Sequence, residues 1–263
     1  MESIAALRER IQGAAVQVPW IPALQKDTRA RNTHSSTAIE GNPLTLDEVR
    51  ALEEGTTVAA PVRARREVLN YFAALRHVEK PAAKKRLTHE HIFRLHAIIA
   101  GEGMDQGAAG RYRTMRVRVG RCVPPPEDVS GLMFELLEWW NKDAPGLSSV
   151  LSSAIVHHRF ETIHPFTDGN GRAGRALALW EFYRRGFDSH HIFAVDEFYG
   201  EDRPRYCAAL DAVRREGEDL TSWLEYCAEG LRQTLERVWE QMGLLSISVA
   251  REKWCSARVR SNC

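Results

Sequence analysis

The run from His164 to Arg175, His-Pro-Phe-Thr-Asp-Gly-Asn-Gly-Arg-Ala-Gly-Arg, gathers a base, a carboxylate, a Gly-Asn-Gly turn and two arginines. His164 is the one group there whose ordinary pKa suits a general base near neutral pH. Asp168 offers a hard oxygen to Mg²⁺ bridging phosphates. Gly169-Asn170-Gly171 lets the backbone adopt positive φ and approach a ligand closely. A helix opening there presents unpaired N–H groups and the positive end of its dipole, which makes an anion site. Arg172 and Arg175 lie one turn apart, so both reach a polyphosphate above the helix start. The chemistry these types suit is a nucleotide-phosphate cradle with a metal ligand and a base. The plainer alternative is a helix N-terminus after an ordinary turn, with a surface histidine and solvated arginines. The whole constellation in this order argues for the cradle.

The elements that must position this loop are mostly helical. A strongly apolar stretch, about Leu147 to Glu161, delivers the chain to His164, and the helix after the loop runs to Arg185 and stops at Gly186. Upstream, Ser3 to Ile11 reads as an amphipathic helix, and Gln17 to Lys26, with Pro19 and Pro22, reads as extended. Thr28 to Glu40 is a polar run ended by Gly41-Asn42-Pro43, a helix stop. Thr45-Leu46-Asp47-Glu48 is a capping box, and helices are expected from about Val62 to Val78 and from Thr88 to Gly101. Met115 to Val119 alternates polar and apolar between flanking Gly and Pro, which predicts a strand or hairpin. Later helices are expected from Pro126 through Trp140, Arg203 to Arg215 and Leu220 to Gln241, with a tail of unclear periodicity after Gly243. The fold class is therefore mainly α with one short β-hairpin. The organisation expected is an N-terminal helical region over 1–80, a core over 81–242 and a tail over 243–263.

Composition narrows the setting. Of 263 residues, 44% are hydrophobic and 27% charged, as in a globular protein with a real core. A formal net charge of +1 gives no reason to expect nucleic acid or an anionic membrane as main partner. The N-terminus carries charges inside its apolar pattern, unlike a signal peptide, and no uncharged apolar run approaches membrane-spanning length. Five scattered cysteines without a Cys-x-x-Cys pair point to reduced thiols in a cytoplasmic protein.

The run from His164 to Arg175 resembles the signature of the Fic family, histidine-proline-phenylalanine-x-aspartate-glycine-asparagine-glycine-arginine-x-x-arginine, at every fixed position. Three more stretches resemble family elements. Ser36-Thr37-Ala38-Ile39-Glu40-Gly41-Asn42 is similar to the inhibitory motif. Gly110-Arg111-Tyr112-Arg113, then Val117, Val119 and Pro124-Pro125-Pro126, is similar to the hairpin called the flap. Arg205-Tyr206 and Leu210 resemble the helix bordering the adenine pocket.

The resemblance implies a Fic-type helical bundle with a β-hairpin flap, acting as a protein adenylyltransferase that moves AMP from ATP, with Mg²⁺, to a Ser, Thr or Tyr hydroxyl of a target protein. His164 would accept the hydroxyl proton and Asp168 would hold Mg²⁺. Gly169, Asn170 and Gly171 would form the anion hole. Arg172 and Arg175 would bind phosphate, the latter the γ-phosphate. Phe166 would anchor the loop in the core. Tyr206 would border the nucleotide and Val117 the flap, where a target segment adds as a strand. Ser36, Glu40, Gly41 and Asn42 would form the inhibitory element, Glu40 pairing with Arg175 in place of the γ-phosphate. In some relatives this glutamate also assists AMP removal. The chain departs from relatives with paired tyrosines, having Tyr206-Cys207, and carries Arg214 and Arg215 two turns later. Other readings remain: the same fold with a different donor (UMP, phosphocholine or phosphate transfer), and a regulatory interaction module with vestigial catalysis. Self-modification and a homodimer stay open, and nucleic acid is disfavoured.

Among other residues, His157-His158 diverge by about 100° on a helix and suit surface or capping roles better than a shared metal ion. His190-His191 is read the same way. The arginines from Arg111 to Arg121 face an acidic target or nucleotide phosphates, and Trp139-Trp140 are core anchors.

Overall fold

The computed structural model describes residues 1–15, 20–80, 86–101, 108–117 and 123–260, with side chains as far as residue 245. Among them the helices are α1 (Glu2–Ala15), α2 (Ile21–Ile39), α3 (Leu46–Glu53), α4 (Val62–Val78), α5 (His89–Ala100), α6 (Pro126–Lys142), α7 (Ser149–Ile163), α8 (Asn170–Arg184), α9 (Val195–Glu201), α10 (Arg203–Arg215) and α11 (Thr221–Arg260).

Helix α8 is the axis. Every residue from Asn170 to Tyr183 is buried except Gly171, so the helix is enclosed on all sides. Helix α7 lies against it over most of its length, and α4, α5 and α2 cover other faces. Local signals set the ends of the two site helices. The Ser148 side chain accepts the Leu151 N–H and starts α7. Gly186, in the left-handed region at φ 65°, ends α8. One hydrophobic cluster runs from Ile4, Ile11 and Trp20 through Phe160, Phe166 and Trp180 to Met242, so α1 and α2 share the core of the later helices. A smaller cluster of Leu44, Val49, Leu52, Val68 and Phe72 lies under α3 and α4.

Three expectations change. The stretch read as extended already turns into α2 at Ile21, because Pro22 sits in the first turn, where a missing N–H costs nothing; residues 16–19 lie outside the described residues. The hairpin has no strand in 108–117 or 123–125. That segment is held by Arg113 instead, whose N–H donates to Pro165 O (2.9 Å) and whose guanidinium binds Met115 O and Pro124 O, so no cross-strand ladder is needed. Val119, with the rest of 118–122, lies outside the described residues. Finally, helical backbone continues past Gly243 to Arg260.

Helix α2 is polar yet buried. Thr28, Asn32 and Ser36 repeat at four-residue spacing, so they share one face, and Glu40 follows at the same interval. The Thr28 hydroxyl donates to Ile192 O (3.2 Å). Asn32 donates to Phe193 O (3.2 Å) and accepts the Asp196 N–H (3.0 Å). Satisfied hydrogen bonds are what let this face be buried without apolar side chains.

Candidate active site

His164 ends α7 in the left-handed conformation, φ 49° and ψ 61°, turning the chain sharply into the loop. That strained geometry is secured by neighbours. The Arg113 guanidinium donates to His164 O (2.8 Å), Pro124 O (2.7 Å) and Ile163 O (3.4 Å). Phe166 is fully buried, its ring stacked on His96 with centroids 3.6 Å apart. His96 Nδ1 accepts the Gly110 N–H (2.9 Å), so Nε2 carries the proton and donates to Asp168 O (2.9 Å). Asn170 completes the frame: its side chain accepts the Phe166 N–H (2.9 Å) and donates to Phe166 O (2.8 Å). The Asn170 amide therefore staples the loop, and its contribution to an anion hole is left to its backbone N–H at the start of α8. Gly169 takes φ 78°, a conformation that favours glycine.

Above the start of α8 is a cavity of about 290 Å³ whose lining includes Glu40, His164, Gly171, Arg175, Tyr206 and Leu210. Arg175 is 1% exposed, and its donors are taken up by the end of α2. Nε donates to Ser36 Oγ (2.8 Å), and Nη2 donates to Ser36 O (2.9 Å) and to Glu40 Oε1 (2.7 Å). Nη1 reaches the Tyr206 hydroxyl at 3.5 Å. Arg203 of α10 donates to Ile39 O (2.6 Å) and holds the last turn of α2 over the cavity. The Glu40 carboxylate fills the space a side chain on Gly171 would need. Burial opposes ionisation of Glu40, but Arg175, with Arg172 and Arg203, outweighs it and holds the carboxyl below the usual range. Burial, then the Arg113 charge, pushes His164 down to about 4, so its imidazole is neutral at pH 7. Burial, with a smaller push from the Arg172 charge, lowers His96 to about 4 against the opposing pull of Asp168.

Asp168 stands half-exposed at the loop's edge. Oδ1 accepts the Gly169 N–H (2.6 Å) and lies 3.9 Å from Arg172 Nη2, leaving Oδ2 for a cation. Among the described residues no three His, Cys, Asp or Glu side chains form a cation cage. A single free carboxylate oxygen beside a phosphate-binding helix start fits Mg²⁺, which usually takes one or two carboxylates plus substrate phosphates.

The structure thus places Glu40, Gly171, Arg175, His164 and Tyr206 around one cavity, with Ser36 buried behind it against Arg175. It directs Asn42 elsewhere: the Asn42 side chain donates to Ala64 O (2.9 Å) and Glu67 (3.0 Å) and pins the turn after α2 to α4. Gly41 makes that turn at φ 90°. Val117 is half-buried in the segment after Arg113, and among the described residues that segment forms no ladder. His157 and His158 are core residues, not surface ones. His157 is fully buried with Nε2 2.9 Å from the Tyr206 hydroxyl, because its face of α7 packs on the rings of Tyr199, Tyr206 and Trp223. His96, Arg113 and Glu161 are the residues missed from sequence. His96 was hidden in the apolar stripe of α5 and Arg113 in a run of arginines.

Residues 86–181 match the Fic/DOC family model, so the chain carries a Fic/DOC family domain. It is 31% identical to protein adenylyltransferase fic-1 of Caenorhabditis elegans over 81% of this chain and 42% of that protein. It is 36% identical to protein adenylyltransferase Fic of Nematostella vectensis over 80% of this chain and 49% of that one. The chain therefore spans less than half the length of these curated relatives. Among solved structures it resembles a Fic family protein from Desulfovibrio desulfuricans (TM-score 0.78, 27% identity, 90% of this chain and 73% of that one). Fic-1 of C. elegans, residues 134–508, is equally near (TM-score 0.78, 27% identity, 92% and 72%).

Proposed function

We propose that this chain is an ATP- and Mg²⁺-dependent protein adenylyltransferase held in check by its own Glu40. The observation that carries the reading is the convergence of a neutral imidazole, a helix start with unpaired N–H groups and a buried arginine on one cavity. Relatives named protein adenylyltransferase support the transferred group. The triphosphate would lie over the start of α8, its terminal phosphate in the seat Glu40 now occupies against Arg175. A target hydroxyl, presented by the segment 108–117 that carries Val117, would attack the α-phosphorus. Its oxygen bonds to phosphorus, the bond to the bridging oxygen breaks, pyrophosphate leaves, and the hydroxyl proton passes to His164. Bound Mg²⁺ at Asp168 would neutralise phosphate charge. Such transfer is mainly positioning and charge stabilisation, which these groups supply.

In this reading residues 1–80 are the regulatory part and 81–242 the catalytic core. Free thiols at Cys207 and Cys227 fit a reducing, cytoplasmic setting, and among the described residues no helix is long and apolar enough to cross a membrane. The test is transfer of labelled α-phosphate from ATP to the protein itself and to lysate proteins. Labelling that rises sharply in Glu40→Gly and vanishes in Glu40→Gly/His164→Ala is the expected result. Equal, weak labelling in wild type and both variants would overturn it.

A further inference from the structure

Glu161 and His164 meet on the inner side of the cavity. The left-handed turn at His164 folds its ring back over the last turn of α7, bringing Nδ1 to 3.8 Å from Glu161 Oε2. Nδ1 is buried and makes no well-formed hydrogen bond, facing only the main-chain carbonyl and the carboxyl of Glu161, so Nε2 is the ring nitrogen that reaches the cavity. Glu161 Oε1 is also buried without a partner. It occupies the space left by the missing side chain of Gly174, so the glycine between the two signature arginines is what admits this carboxyl. A buried carboxyl with no partner is costly and calls for a reason.

We propose that Glu161 is a positioning residue for His164: its carboxylate accepts the Nδ1–H, leaves the Nε2 lone pair toward the attacking hydroxyl, and stabilises the imidazolium formed when Nε2 takes the proton. The inference rests on His164 being the general base. The hydroxyl proton ends on Nε2, the Nδ1 proton stays on the ring, and Glu161 exchanges no covalent bond. A turn of the Glu161 side chain shortens 3.8 Å to hydrogen-bond distance, as catalytic contacts tighten when substrate binds. The main-chain carbonyl of Glu161 also faces the ring, but being neutral it gives no pH dependence.

The charged groups facing Glu161 are Arg175 from α8, Glu40 after α2, Arg214 from α10 and His164 itself. Burial, which outweighs Arg175, pushes Glu161 up to about 7, while His164 lies at about 4. The acid limb of the rate profile therefore belongs to Glu161, and removing the Glu40 charge moves it somewhat lower.

Two measurements test this. In ¹⁵N-histidine-labelled full chain without nucleotide, at pH 8, His164 should hold its proton on Nδ1 in wild type and become a tautomer mixture in Glu161→Gln. In the Glu40→Gly background, Glu161→Gln should lower kcat about tenfold at pH 8, leave KM for ATP within about twofold and erase the acid limb. Glu161→Asp, which keeps the charge, should restore that limb. Unchanged tautomer, kcat and limb in Glu161→Gln would overturn the proposal and leave orientation to the main-chain carbonyl. If Glu40→Gly itself is inactive, the transferase reading fails, and the tautomer measurement still decides the role of Glu161.

Discussion

The carboxylate of Glu40 and the bare α-carbon of Gly171 share one space: where a side chain at 171 would begin, the Glu40 oxygen already sits. The same α-carbon stands in the first turn of α8, where a phosphate would approach the backbone. Gly171→Ala should therefore disrupt the Glu40–Arg175 pair without releasing activity. In the Glu40→Gly background it should cut labelled AMP transfer at least about tenfold, by keeping phosphate off the helix N–H groups. Full activity in that double variant would show that the phosphates do not use this helix start.

Asp168 gives a metal prediction. Asp168→Asn removes the charge of the free oxygen yet keeps the carbonyl that accepts the Gly169 N–H. Activity of the Glu40→Gly form should fall, and the Mg²⁺ concentration for half-maximal rate should rise about tenfold. An unshifted Mg²⁺ titration would remove Asp168 as ligand.

Arg113 spends a buried guanidinium on main-chain carbonyls of His164, Pro124 and Ile163. An ammonium cannot make that fork. Arg113→Lys should cost about 2 kcal/mol of stability in urea unfolding. It should also lower kcat of the relieved enzyme more than it raises KM for ATP, because the left-handed turn at His164 loses its brace.

His96 supplies a pH signature. Its ordinary value is 6.5, and burial lowers it to about 4 in the folded chain. Between those values the unfolded chain binds a proton that the folded chain refuses, so this residue's contribution to stability falls as pH drops. His96→Phe keeps a ring against Phe166 but lacks this linkage. The stability gap between wild type and His96→Phe, read by urea unfolding, should narrow by about 2 kcal/mol from pH 7.5 to pH 5. A constant gap would mean that His96 is not held neutral.

The loop chemistry was legible because its residues are contiguous and their types are rare in combination. The later helices were legible from apolar spacing, and the start of α3 from the Thr45 capping box. Three features were not. The end of helix α2 was legible at Gly41-Asn42-Pro43, but its start at Ile21 and its burial were not, since its buried face is made of Thr28, Asn32 and Ser36. The segment after Gly110 alternates like a strand, but its backbone groups are satisfied by Arg113 and Pro165. His96 and Arg113 act on the loop from 72 and 51 residues away, a distance no local pattern spans.

The stripe on α2 separates what is fixed from what can move at the proposed inhibitory contact. Thr28, Asn32 and Ser36 are each bonded to the body of the protein, whereas Glu40 lies one residue beyond the helix and its carboxylate hydrogen-bonds to Arg175. Sliding the helix by one turn, about 5.4 Å, would break every one of those bonds together. Rotating one glutamate side chain breaks a single pair. If Glu40 is inhibitory, its release is therefore expected as a side-chain rotation with the helix still docked. In the proposed inhibition, a nucleotide competing for Arg175 would then have to displace one carboxylate and not a helix.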